Sequence, residues 1–114
     1  MNTAQAVPVL AALAQASRLD LFRLLVQAGP QGLAAGTLST ALQVSPSALS
    51  FHLKEMLHAG LVTATPQGRF VIYRANYAVM NALLGFLTEN CCQGADCDLG
   101  GMPPACGATA TPEP

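Results

Sequence analysis

The 114-residue sequence contains no tryptophan, and only 10% of its residues are charged. Hydrophobic residues make up 52%, which excludes the low-hydrophobicity, high-charge composition of a disordered chain. No apolar run approaches the roughly 18–20 residues that cross a bilayer, so no membrane partner is expected. No cysteine precedes Cys91, and Cys91 and Cys92 are adjacent, so the four cysteines cannot staple the body of the chain. That argues against a secreted disulfide scaffold and for a reducing, cytoplasmic setting. No Gly-rich phosphate loop, nucleophile–base signature or carboxylate pair is present, and no enzyme is expected. What remains is one domain, since single cores run to roughly 100–200 residues. The sparse polar surface also points to an oligomer interface.

No Lys or Arg follows Arg74. The net charge of −1 therefore hides an asymmetry. Arg18, Arg23, Lys54, Arg69 and Arg74 face only Asp20 and Glu55 in residues 1–75, whereas residues 76–114 carry Glu89, Asp96, Asp98 and Glu113 alone. A mildly basic body with an acidic tail is compatible with phosphate contacts from the body.

Ala14-Gln15-Ala16 mimics a signal-peptide cleavage site, but no positive charge precedes it and Pro8 and Gln15 interrupt the apolar stretch. An amphipathic first helix is expected instead, with a stripe of Val7, Leu10, Ala11 and Ala14. Ser17 reads as the cap of a second helix that Gly29-Pro30 stops, with Leu21, Leu24, Leu25 and Ala28 on one buried face. Thr37–Leu42 is a short helix after a Gly32–Gly36 connection. Gln43-Val44 then leads to Ser45-Pro46, where Ser at the N-cap and Pro in the first helical position open a helix running to about His58. Gly60 follows as its carboxyl-terminal cap. Leu49, Leu53, Met56 and Leu57 are expected to face inward, and Ser47, Ser50, Phe51 and Lys54 to share the outer face.

A short helix, a tight turn and a second helix with a polar outer stripe form a helix-turn-helix pattern. Leu61–Thr65 and Arg69–Arg74 are β-prone runs around Pro66-Gln67-Gly68, a hairpin in the place of a wing, with Arg69 at its tip. Taken alone, the helices also suit a small bundle with solvated serines. The hairpin and Phe51 favour DNA, because an exposed aromatic is costly without a partner and suits a thymine methyl. His52 and His58 read as packing or hydrogen-bonding residues rather than metal ligands, with His52 near enough to the outer stripe to reach a phosphate or base. Tyr77–Glu89 is a last helix with an apolar stripe of Val79, Met80, Leu83, Leu84 and Leu87. The fold class is thus mainly α with a β-hairpin wing, an α+β winged helix-turn-helix over residues 1–90. Residues 93–114 hold four Gly and four Pro, so residues 91–114 read as a flexible tail.

Leu49-Ser50-Phe51-His52-Leu53-Lys54, Leu57-His58-Ala59-Gly60-Leu61-Val62, Gly68-Arg69, Tyr73-Arg74 and Ala14–Leu19 together resemble the ArsR/SmtB family of winged-helix metalloregulatory repressors. Pro66 departs from the family, many members of which carry a basic residue at the wing. The resemblance implies a homodimer paired through its first and last helices on palindromic double-stranded operator DNA. It also implies DNA contacts from Ser45, Ser47, Ser50, Phe51, His52, Lys54 and Arg69. The apolar stripes of the first and last helices suit such a dimer.

Family membership does not name an inducer, and two familiar sites are missing. There is no cysteine around Ala34 and Gly36, and the last helix has no histidine. Cys91, Cys92 and Cys97 remain, with Cys106 as a spare or additional thiol. Soft thiolates select thiophilic ions. A Cys-Cys pair with a third thiol beyond Gly94 suits three-coordinate As(III), and so Sb(III), better than tetrahedral zinc. It resembles the arsenite-responsive subgroup with its site beyond the last helix. A cadmium or zinc site, a thiol redox switch, and a thiol-rich interaction module that binds no DNA stay open as alternatives.

Overall fold

A computed structural model describes residues 1–91. α1 (Thr3–Leu13) opens with a capping box in which the Gln5 N–H donates to Asn2 Oδ1 and the Asn2 N–H to Gln5 Oε1, both at 2.9 Å. The buried face of α1 is Ala6, Val9 and Ala12, one position off the expected stripe; Val7 and Leu10 point to solvent. α2 (Ala16–Ala28) is capped by Gln15, whose Oε1 accepts from the Arg18 N–H at 2.9 Å, and not by Ser17. Gln15 is backbone-extended while Ser17 is already helical, so only Gln15 can present its side chain to the free N–H groups. Arg18 Nε donates to the Ala12 carbonyl at 2.7 Å and ties the end of α1 to the start of α2.

Gly29, at φ +80°, ends α2 as expected, and a 3-10 turn Gly29–Gln31 leads into β1 (Leu33–Ala34). This two-residue strand lies in the stretch the sequence reads as a plain connection. It is too short to show alternation, and only its partner strand makes it one. α3 (Ala35–Leu42) starts two residues before the expected Thr37. α4 (Pro46–His58) is followed by β2 (Val62–Gln67), β3 (Phe70–Ala75) and α5 (Tyr77–Leu87). Asn76 caps α5, accepting from the Val79 N–H, and its amide donates to the Gly60 carbonyl at 2.9 Å.

The sheet is antiparallel in the order β1-β3-β2. Gln67 pairs with Phe70, so the connection is only Gly68-Arg69, with Gly68 at φ +63°. A two-residue turn opening on a positive-φ glycine matches strand twist. Pro66 belongs to β2, opposite Val71, and not to the turn. β2 is an edge strand, where the missing N–H costs no ladder bond.

One core joins these elements: Leu21, Leu25, Leu38, Leu49, Met56 and Leu61 are fully buried. A paired set of bonds closes α4, from the Leu61 N–H to the Met56 carbonyl (2.9 Å) and from the Gly60 N–H to the Leu57 carbonyl (3.0 Å). This is the glycine-dependent Schellman ending, and it packs buried Leu61 over buried Met56. Leu57, expected to face inward, is 38% exposed. It lies one position past Met56, about 100° further round the helix and away from the core axis.

Candidate nucleic-acid interface

The turn between α3 and α4 is held by one side chain. Ser39 Oγ donates to the Val44 carbonyl at 2.6 Å, and the Val44 N–H donates back to the Ser39 carbonyl at 3.2 Å. Gln43 sits between them in the left-handed region (φ 55°). Ser45 Oγ then accepts from the Ala48 N–H at 3.1 Å and lies 3.3 Å from Ser47 Oγ. Its hydroxyl is thus engaged in starting α4, although the residue stays exposed.

Ser47, Ser50, Phe51 and Lys54 all lie on the exposed face of α4, as expected. Phe51 is 56% exposed, and its ring meets His52 edge-on with centroids 6.0 Å apart. His52 is half-buried, and its Nδ1 is enclosed without a hydrogen-bond partner. Any contact to DNA must come through Nε2, the other ring nitrogen. Arg69 is exposed at the tip of the β2–β3 hairpin.

The five cations of the chain divide by what holds them. Arg18 is committed to Ala12, and Arg74 Nε donates to the Pro30 carbonyl at 2.7 Å. Arg23, Lys54 and Arg69 are exposed, Lys54 on α4 and Arg69 at the hairpin tip. Counting charges along the sequence cannot make this division, because Arg18 and Arg74 find backbone carbonyls only in the folded chain.

Beside the expected residues runs a groove lined by Ser50, Leu53, Lys54, Leu57, His58 and Tyr73. Sequence reasoning missed it, since it needs Tyr73 of β3 brought beside the side chains of α4. The four-residue spacing of Ser50, Lys54 and His58 was the available signal. Phe70, 65% exposed at the base of the turn, was also missed; its alternation with Ile72 gave no hint that the turn leaves it uncovered.

Among the described residues, no group of three or more His, Cys, Asp or Glu side chains could hold a metal ion. Cys91 is half-buried in a single turn after α5, its N–H donating to the Thr88 carbonyl at 3.0 Å. Cys92, Cys97 and Cys106 lie outside the described residues. Also among these residues, no helix is long and apolar enough to cross a membrane.

A helix, a stapled turn, a capped second helix with a polar outer face and a hairpin tipped by arginine define a winged helix-turn-helix DNA-binding domain. Comparison with known proteins agrees. Residues 13–64 match a family model described as a helix-turn-helix domain. The chain is 34% identical over 92 residues to the transcriptional activator HlyU of Vibrio cholerae, covering 81% of this chain and 82% of that protein. The solved structure of HlyU superposes with a TM-score of 0.65 over 81% of this chain and 97% of that one, and a structure named reduced HlyU with 0.64. An ArsR-like transcriptional regulator from Rhodococcus sp. RHA1 gives 33% identity and a TM-score of 0.65, covering 74% of this chain and 76% of that one. The homodimeric winged helix-turn-helix domain of Mb0332 from Mycobacterium bovis gives 26% and 0.60, over 82% and 87% of the two chains. The chain belongs to the ArsR/SmtB family of winged helix-turn-helix regulators and is a DNA-binding transcriptional regulator. That family is one of transcription regulators and not of enzymes.

Proposed function

We propose that this chain is a homodimeric repressor that leaves its operator when As(III), or Sb(III), binds the thiolates of Cys91, Cys92 and Cys97. The observation that carries the reading is the attachment of Cys91 directly to the end of α5, whose outer residues Leu84 and Leu87 are exposed apolar surface. Exposed Val7 and Leu10 on α1 add a second apolar patch, and the Mb0332 domain is named as homodimeric. A homodimer paired through α1 and α5 would cover these side chains. Closing a thiolate loop at the end of α5 then tilts the two winged helices and spoils their spacing on DNA. A hundredfold release requires about 2.7 kcal/mol of differential affinity between the two states, which three bonds to a soft ion supply.

The test is release of a promoter duplex measured against arsenite, antimonite, cadmium, zinc and peroxide. Arsenite and antimonite are expected to act at the lowest concentrations. Cys91→Ser, Cys92→Ser and Cys97→Ser should each abolish the arsenite response, while Cys106→Ser keeps it. Loss at Cys106 with retention at Cys97 would reassign the third ligand. A thiol-redox reading is favoured by one observation, the naming of one HlyU structure as the reduced form. Release by peroxide and not by arsenite would establish it in place of the metalloid.

A further inference from the structure

We infer that the groove between α4 and β3 is the track of one sugar-phosphate strand, with His58 and Tyr73 as phosphate contacts beside Lys54. The inference rests on α4 being the DNA-facing helix. Ser50, Lys54 and His58 stand at four-residue intervals along α4, and Tyr73 of β3 closes the opposite wall. Eight residues of helix make the row about 12 Å long.

Every polar side chain in the row is a donor that no other described residue engages. Ser50, Lys54, His58 and Tyr73 make no side-chain hydrogen bond or ion pair among the described residues, whereas Arg74, next to Tyr73 in the chain, has its Nε bonded to the Pro30 carbonyl. Among the described residues, no carboxylate lines the groove. The carbonyl end of a helix repels an anion. Here, however, the Met56 and Leu57 carbonyls accept from the Leu61 and Gly60 N–H groups. Leu53 and Leu57 form the apolar floor, which suits the sugar edge of a backbone better than water. The exposure of Leu57, costly in a free helix, follows from its place in this floor.

Phosphate contacts act on all sequences alike, which gives a test separate from base readout. The full chain is titrated by fluorescence anisotropy with two duplexes, one from upstream of its own gene and one of random sequence, over a series of KCl concentrations. Tyr73→Phe should weaken binding to both duplexes by the same factor, about three- to tenfold. His58→Lys should tighten both and steepen the slope of log K against log[KCl] by about one. Gln27→Lys, exposed on α2 outside the groove, should leave the slope as it was. Unchanged affinity and slope in His58→Lys and Tyr73→Phe would overturn the track, as would an effect confined to one duplex. If the unaltered chain binds neither duplex, the DNA-facing assignment of α4 falls first, and the track with it.

Discussion

Gly32 lies so close to Tyr73 that a Cβ on residue 32 would sit 2.5 Å from the Tyr73 carbonyl oxygen, with Arg74 Cγ and Ile72 Cγ2 each at 2.8 Å. Its φ of +69° is a conformation that side-chain-bearing residues rarely adopt. This contact sets β1 against β3, and β3 carries both the wing and the wall of the α4 groove. Gly32→Ala is therefore expected to cost about 2–4 kcal/mol through clash and strain together. Gly29→Ala shares the positive φ and the same near-glycine-only region (ψ −167°) but meets open space, and should cost less, about 1–3 kcal/mol from strain alone. Urea unfolding of the two variants separates packing from backbone strain; equal losses would show that the β1–β3 approach contributes nothing.

The helix-turn-helix corner depends on Ser39 more than on its own turn residues. Ser39→Ala leaves the Val44 carbonyl without its 2.6 Å donor and should destabilise the chain by about 1–2 kcal/mol. Ser45→Ala removes the cap of α4 at about 1 kcal/mol, while Ser45→Thr keeps most of it. Thermal midpoints measure both. If Ser45→Ala lowers DNA affinity with an unchanged midpoint, the hydroxyl serves DNA rather than the helix.

Arg69 and the α4 face should fail in different ways on DNA. Arg69→Ala at the hairpin tip is expected to weaken all duplexes about equally and to lower the salt slope by about one. Ser50→Ala or Phe51→Ala should instead narrow the gap between operator and random duplex. Anisotropy with both duplexes reads the contrast, and wild-type behaviour in all three variants would remove these residues from the interface.

The two faces of α5 make opposite predictions for adjacent leucines. Leu84→Glu alters an exposed side chain and should leave the fold intact while abolishing the proposed α1–α5 dimer. Leu83→Glu puts a carboxylate at a buried core position and should unfold the chain. Sedimentation equilibrium with circular dichroism checks both. A folded Leu84→Glu variant with the unaltered oligomeric state would place the dimer contact elsewhere.

Much of the architecture was legible because local physics is strong where it was read. Ser45-Pro46 fixes a helix start by its own chemistry, Gly29 and Gly60 supply the positive φ that ends a helix, and β-prone runs around Gly68 can only be a hairpin. The failures fall where one residue's role depends on distant chain. Ser17 and Gln15 are both plausible caps, and the path of the chain out of α1 chose Gln15. Leu57 is as apolar as Leu53, yet it lies about 100° round α4 from buried Met56 and stays at the surface, because which side of the stripe meets the core is set by the packing of the other elements.

By itself, then, the sequence determined the order of helices and wing, the polar outer stripe of α4, the family, and the thiols available after α5. These follow from periodicity, capping and residue type, which act over a few positions. Only the tertiary structure decided that Arg18 and Arg74 each donate Nε to a backbone carbonyl, that two residues after Gly32 are a strand, and that Tyr73 shares a groove with Lys54 and His58. Each of those is a contact between residues far apart in the chain, set by the docking of β3 against its neighbours, and no local propensity encodes such a meeting.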